Sequence, residues 1–354
     1  MTRAPQGDLG AAVPLAPYTT LELGGPATYF ARADDVASLE RLLARAGERA
    51  IPVAILGGGS NLVVSDAGFD GLVIAMRMRG VTITRAGDLA LVEAAAGEPW
   101  DELVELTTRE GLAGLECLSG IPGLVGATPI QNVGAYGQEV ADTLASVRAF
   151  DRSEKRVVEL TPAQCELAYR DSMFKRDPDR YVVLAVTFAL RPGGAPTVRY
   201  AELARALEGR PLDLGTVRET VLALRRAKSM VLDAGDPNRR SAGSFFTNPV
   251  VAAALADALS AEHAGMPRWP LPDGRVKLAA GWLIERAGIS KGMRRGHVGV
   301  STRHALALVH HGGGTTAELL ALEEEVRTAV RVRFGLELQR EPVLWARSSG
   351  GSER

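Results

Sequence analysis

Ser119-Gly120-Ile121-Pro122-Gly123-Leu124-Val125-Gly126-Ala127-Thr128-Pro129-Ile130-Gln131-Asn132-Val133-Gly134-Ala135-Tyr136-Gly137 sets five glycines and two prolines among small and amide residues, with few charged side chains. A backbone of this composition can be approached closely by a flat ligand carrying phosphates, because little side chain stands in the way. A second cluster, Leu56-Gly57-Gly58-Gly59-Ser60-Asn61, follows the apolar run Val53-Ala54-Ile55. Successive glycines can turn several backbone N–H groups toward one anion. The same cluster also reads as a tight turn between strands, which is the commoner use of glycine. A G-x-G-x-x-G fingerprint from Gly57 requires glycine where Leu62 stands. The helix that should follow is replaced by β-branched Val63 and Val64, and no Lys-Ser/Thr pair completes a P-loop. Two glycine-rich loops outside these patterns point to a different dinucleotide-binding architecture.

Working outward from the loops, strand and helix alternate from Ala27 to Met76. Thr28-Tyr29-Phe30 reads as a strand, and Asp34 or Asp35 caps a helix with Val36, Leu39, Leu42 and Leu43 on one face. Val53 to Leu56, Leu62 to Val64 and Leu72 to Ile74 read as further strands. Beyond Val81, strands at Val81 to Ile83 and Leu89 to Val92 precede a helix opened by Pro99, with Asp101 and Glu102 in its first turn. After the long glycine stretch come a hairpin, Val147 to Phe150 with Val157 to Leu160, and a strand from Tyr181 to Leu190. Capping boxes at Thr216-x-x-Glu219 and Thr315-x-x-Glu318 predict two helices in a more helical third region. A final strand pair is expected across Leu336 to Leu344.

The 354 residues, 46% hydrophobic, suffice for two or three domains. Forty-one basic against 42 acidic residues leave a net charge of -1, which gives no general pull toward nucleic acid or an anionic membrane. No apolar run approaches the roughly 20 residues a membrane span needs. Two cysteines, Cys117 and Cys165, frame neither a disulfide scaffold nor a zinc site, and the histidines lack metal spacing. A soluble, cytoplasmic chain without a metal site is expected. The first residues, Met1 to Pro17, read as a loose arm without a secretory h-region, and Arg347 to Arg354 as a disordered tail.

Five blocks carry a family resemblance: Leu56 to Asn61, Ile121 to Gly137, Tyr169-Arg170-Asp171-Ser172, Ala242 to Pro249, and Lys277 to Ile284. In this order they closely resemble the UDP-N-acetylenolpyruvoylglucosamine reductases, over about Thr19 to Trp345. The segment Tyr200-Ala201-Glu202-Leu203 resembles the tyrosine loop of the longer, type I subgroup, which implies closure over substrate.

The resemblance implies a mixed α/β, α+β chain with a vanillyl-alcohol-oxidase-type FAD-binding half of two subdomains, 19–80 and 81–224 with 335–346. A substrate-binding domain is implied at 225–334, flanked by arms at 1–18 and 347–354. It implies bound FAD, NADPH as co-substrate, and UDP-N-acetylglucosamine enolpyruvate as substrate, in a chain expected to be monomeric. FAD contacts carry over to Leu56, Gly57, Gly58, Gly59, Ser60, Asn61, Pro122, Gly123, Gly126, Ala127, Thr128, Gln131 and Gly134. Substrate contacts carry over to Tyr136, Tyr200, Lys228 and Asn248, with Arg225 one turn before Lys228 and His304 as further contacts.

Three residues match the family's catalytic positions. Ser244 matches the proton donor, Arg170 the guanidinium over the developing enolate, and Glu341 a carboxyl that donates to the enolate oxygen. Each has a duller reading: a strand serine beside core Phe245 and Phe246, an ion pair of Arg170 with Asp171 or Glu166, and a surface strand glutamate. The family often shows Glu-Pro-Glu-Val where this chain has Gln339-Arg340-Glu341-Pro342-Val343, so the register of Glu341 rests on its distance from Phe334. Two other functions compete: an FAD oxidase without a nicotinamide partner, which the Ala242 to Pro249 block argues against, and a catalytically silent nucleotide-sugar sensor, which retention of all three residues argues against.

Overall fold

The computed structural model describes residues 10–346. The expected tail at 347–354 and the first nine residues of the expected arm lie outside them. Residues 10–18 depart from the loose-arm reading: Gly10–Pro14 is the outer strand of a sheet, and Ala16–Tyr18 is a single 3₁₀ turn following buried Leu15.

The chain divides into two compact units. The first comprises Ala27–Gly59 and Asp70–Leu232 with the described residues before Pro14. The second comprises Pro14–Pro26, Ser60–Phe69 and the chain from Asp233 onward. Residues 335–346, expected with the second FAD-binding subdomain, fall in the second unit. There Val343–Trp345 runs parallel to Leu62–Val64. This also corrects the expected strand pair at the C-terminal end: 336–344 does not fold back on itself, because its partners lie far away in sequence.

In the first unit, one sheet has the order Gly10–Pro14, Pro26–Ala33, Phe69–Met76, Val53–Leu56, the last two parallel with Val53 opposite Leu72. The helix Val36–Glu48 covers the connection. Asp35, not Asp34, caps it, accepting the Ser38 N–H at 2.6 Å. A second, antiparallel sheet is built around Tyr181–Pro192, whose run from Val182 to Val186 is wholly buried, as a central strand needs. The expected hairpin flanks it, with Val147 opposite Leu160 and Phe150 opposite Val157.

The long glycine loop is anchored to this sheet and to the helix Trp100–Arg109. Pro99 at the N-cap offers no side-chain cap, so the first free N–H of the helix, from Trp100, donates to the Gly123 carbonyl at 3.0 Å. The N–H groups of Val125 and Gly126 donate to the Glu98 and Ala96 carbonyls at 2.9 and 3.0 Å. A Cβ on Gly126 would stand 2.6 Å from that of Ala96, so this close approach requires glycine.

The helix Leu214–Ala227 begins two residues before the expected box. Asp213 caps it, because its carboxylate reaches the Thr216 N–H at 2.8 Å, which makes Thr216 the third helical residue. Arg218 on this helix forks onto Asp101 at 2.6 and 3.0 Å, and Asp101 also accepts the Gly120 N–H at 2.6 Å. One carboxylate thus ties two helices to the start of the glycine loop.

The second unit holds two three-stranded sheets and the 19-residue helix Thr316–Phe334, opened by the expected Thr315–Glu318 capping box. Its buried face carries Leu319, Leu322, Val326 and Val330. Both cysteines are buried and unpaired, and burial pushes their thiols up to about 12 at Cys117 and about 11 at Cys165. Among the described residues no helix is long and apolar enough to cross a membrane, and no group of three His, Cys, Asp or Glu could hold a metal ion.

Burial pushes the Asp101 carboxyl up, but the Arg218 guanidinium and the Gly120 N–H outweigh it and leave the group below its ordinary value. A depressed carboxylate stabilises the fold above its unfolded pKa and loses that contribution as pH falls through the folded value. Asp101→Asn is therefore expected to cost about 2 kcal/mol at pH 7, the scale of charge-assisted hydrogen bonds. The wild-type advantage should shrink below about pH 4; denaturant titrations at both pH values check this.

Candidate active site

In the first unit the two glycine loops meet backbone to backbone. A Cβ on Gly58 would stand 2.7 Å from the Gly123 Cα, so neither chain could lie as it does with a side chain at Gly58. Gly59 and Gly123 adopt φ of 65° and 125°, conformations that L side chains rarely take. A Cβ on Gly57 would meet only the Ala127 methyl, at 3.8 Å, so the chain is bare there. Leu56 ends its strand buried, fixing where the first loop leaves the sheet. The Thr128 hydroxyl, expected at the cofactor, donates to the Val125 carbonyl at 2.8 Å and closes its own turn.

Arg170 lies against the far end of the second loop. Its Nη2 donates to the Gly134 carbonyl at 2.9 Å and its Nη1 to the Asn132 carbonyl at 3.3 Å. Its own φ is 54°, and the Lys175 ammonium holds its carbonyl at 2.8 Å. The alternative ion pair with Asp171 and Glu166 is made instead by Arg176, which bonds both carboxylates. Those acids are therefore spoken for by another cation.

Around Arg170 the first unit gathers cations and phenols. The charge of Arg170 acts on Arg225, whose Nη2 donates to the Met230 carbonyl at 2.7 Å. The Arg225 Nε is shut off from solvent and meets no hydrogen-bond partner among the described residues. Burial lowers this guanidinium to about 10, opposed by nearby Tyr136 and Asp101, so it remains charged at neutral pH. Tyr136, at φ 49°, packs edge-on against Tyr200 with ring centroids 5.7 Å apart, and the Lys228 ammonium stands 5.7 Å from the Tyr136 ring centre. Burial pushes the Tyr136 phenol up to about 12 and raises that of Tyr200, so both stay protonated donors. Lys228 is held by Glu202 at 2.6 Å, a partner the sequence reading did not single out, although it lies two residues past Tyr200. Like charges so close favour an anionic ligand.

In the second unit, Phe245 is the hub. Its N–H donates to the Leu306 carbonyl at 2.7 Å, and its carbonyl accepts the Glu341 N–H at 3.0 Å. Ser244, which directly precedes it, thus shares one backbone junction with the turn carrying His304 and with Glu341. Ser244 is not a strand residue; it lies in irregular chain directly after Gly243, whose φ is 72°. Asn61 belongs to the same unit, and its Nδ2 donates to the Glu341 carbonyl at 3.4 Å. The Asn248 Oδ1 accepts the Ala280 N–H at 2.9 Å, capping the helix Ala280–Arg286 and leaving its amide NH₂ as the end suited to a ligand.

Residues 27–161 match the FAD binding domain family, so this chain is a mixed α+β flavoprotein with FAD as its cofactor. Residues 236–345 match the family described as UDP-N-acetylenolpyruvoylglucosamine reductase, C-terminal domain. Proteins of that name from Thermobifida fusca (strain YX) and Saccharopolyspora erythraea are 50% and 51% identical to it, over 94% and 93% of this chain and 96% and 94% of theirs. The crystal structure of UDP-N-acetylenolpyruvylglucosamine reductase from Thermus caldophilus, 26% identical, superposes with a TM-score of 0.66 over 96% of this chain and 99% of that one. The chain belongs to the UDP-N-acetylenolpyruvoylglucosamine reductase family.

The paired glycine loops fit FAD: bare backbone at Gly57 and the close contact of Gly58 with Gly123 leave a side-chain-free rim for a diphosphate. Gly58→Ala should weaken FAD retention roughly 10- to 100-fold, the scale of about 1–3 kcal/mol of overpacking. Gly57→Ala should leave the apoprotein Tm unchanged yet reduce bound flavin, because its methyl enters space the apoprotein leaves open. Visible absorbance of purified variants, with Tm after flavin removal, checks both.

Proposed function

We propose that this enzyme reduces UDP-N-acetylglucosamine enolpyruvate to UDP-N-acetylmuramate with NADPH as reductant, a step in making peptidoglycan precursors. The observation that carries the reading is the cluster of Arg170, Arg225 and Lys228 around two protonated tyrosines, in a chain whose family is named for this reduction. FAD, when bound, would supply the hydride chemistry, between NADPH and the enolpyruvyl methylene carbon, that no protein side chain can. Leu56 to Asn61, Pro122, Gly123, Gly126, Ala127, Gln131 and Gly134 are the residues that would hold the cofactor in this proposal.

The residues of the chain do the rest. Hydride addition places negative charge on the neighbouring carbon and its carboxylate. The Arg170 guanidinium, steadied by the Asn132 and Gly134 carbonyls, is a fixed charge against which that enolate is stabilised. The Ser244 Oγ gives its proton to the carbanionic carbon, and the Glu341 carboxyl donates to the enolate oxygen. A serine hydroxyl is a weak acid, so it works only when held within hydrogen-bond reach and reprotonated at once. The backbone junction at Phe245 supports a joint role for Ser244 and Glu341. Lys228 and Tyr200 hold the diphosphate, the Asn248 NH₂ reaches the uridine, and Arg225, Tyr136 and His304 complete the substrate contacts.

Ser244→Ala is expected to leave bleaching by NADPH nearly intact while abolishing anaerobic recolouring by the enolpyruvyl sugar. Stopped-flow absorbance separates the two half-reactions, and equal damage to both removes Ser244 from this role. Arg170→Lys keeps a point charge but loses the fork, so kcat should fall roughly 10²- to 10³-fold with a modest change in substrate affinity. Steady-state turnover with UDP-sugar titrations checks it; unaltered kcat takes Arg170 out of the reaction.

A further inference from the structure

Arg340 directly precedes the proposed acid Glu341, and its side chain does not reach solvent freely. It forks onto Glu323, with Nε 2.9 and 2.8 Å from the two carboxylate oxygens and Nη2 2.6 Å from one of them. Glu323 is 2% exposed, on the buried face of the helix Thr316–Phe334. That helix is firmly placed. Its first N–H groups, from Thr316 and Ala317, donate to the two oxygens of Asp66 at 2.8 and 2.9 Å, and Thr316 Oγ1 donates to the Val64 carbonyl at 2.6 Å.

The backbone at 339–341 is fixed from the other side. Thr247 N–H donates to the Gln339 carbonyl at 3.0 Å and Glu341 N–H to the Phe245 carbonyl at 3.0 Å, which brackets a bridge between Phe246 and Arg340. In such an antiparallel pairing successive side chains leave on opposite faces. Holding the Arg340 head group on Glu323 therefore fixes the rotation at which Glu341 leaves on the other face. A buried ion pair is often no more stabilising than a well-packed apolar pair of similar size, so stability alone is a weak reason for this one.

We propose that the Arg340–Glu323 pair is a positioning device for Glu341, setting the aim of its carboxyl in the step that consumes the enolpyruvyl sugar. This rests on the proposed role of Glu341. Neither Arg340 nor Glu323 is asked to touch substrate or cofactor.

The test is anaerobic stopped-flow on FAD-loaded enzyme, reading bleaching by NADPH and recolouring by the enolpyruvyl sugar across pH. Glu323→Gln should lower Tm, because it leaves the half-buried Arg340 without its counter-charge. The double variant Arg340→Met with Glu323→Met should restore Tm, while recolouring stays roughly 10- to 100-fold slow, the usual cost of misaiming a reacting group, and bleaching stays at the wild-type rate. Its pH profile should also lose the limb that Glu341 contributes. Recovery of Tm and recolouring together overturns the proposal, since the pair would then only hold the fold.

Should the double variant not fold, Arg340→Lys decides. It keeps the charge but loses the fork, and is expected to slow recolouring with KM for the sugar unchanged; an unaltered rate overturns the proposal. Glu341→Gln separates this inference from the reading beneath it. If Glu341→Gln leaves recolouring and its pH profile intact, the role of Glu341 itself fails. If it slows recolouring while the Arg340 variants do not, only the positioning role fails.

Discussion

The contact of Gly58 with Gly123 is the constraint on which the first unit is organised. Two loops some sixty-five residues apart in the chain approach so closely that one Cβ would collide with the other's backbone. Everything around them serves that approach. The helix Trp100–Arg109 gives its first N–H to Gly123, Ala96 and Glu98 accept from the residues that follow, and Asp101 ties Gly120 to Arg218. A dinucleotide needs such a place, because a diphosphate is bound best by backbone dipoles that no side chain screens.

Charge is handled by the same economy of placement. Acids near the catalytic candidates already have partners: Asp171 and Glu166 with Arg176, Glu202 with Lys228, Glu323 with Arg340. Arg170 spends donors on backbone carbonyls, and the Arg225 Nε meets no acceptor among the described residues. The like charges of Arg170 and Arg225 act on one another, which favours an anion with several phosphate or carboxylate oxygens.

The second unit achieves with backbone what the first achieves with glycine. Phe245, fully buried, bonds on one side to the turn that carries His304 and on the other to Glu341. Residues spread from 244 to 341 meet at this junction. A long helix with a buried carboxylate then grips the residue next to Glu341, so the acid is supported from two directions.

Much of this was legible in the residues. The strands, the hairpin at Val147 to Leu160 and the box at Thr315 follow from periodicity and capping, which are local in the chain, and the glycine-rich stretches marked themselves by composition. Arg170 and Ser244 stood out only through the blocks that carry them, and Glu341 only through its distance from Phe334, since a lone arginine, serine or glutamate looks like any other. Where local patterns misled, a competing partner was the cause. Asp213 caps the helix through the Thr216 N–H, which draws Thr216 inside it, and 336–344 paired with 62–64 and 245–247 instead of with itself. The grip of Glu323 on Arg340, the capture of Lys228 by Glu202 and the transfer of Asp171 to Arg176 leave no spacing signature at all. Pattern along a chain reports propensity and solvation residue by residue, whereas the partner of a charge or a carbonyl is chosen by which segments packing brings within 3 Å.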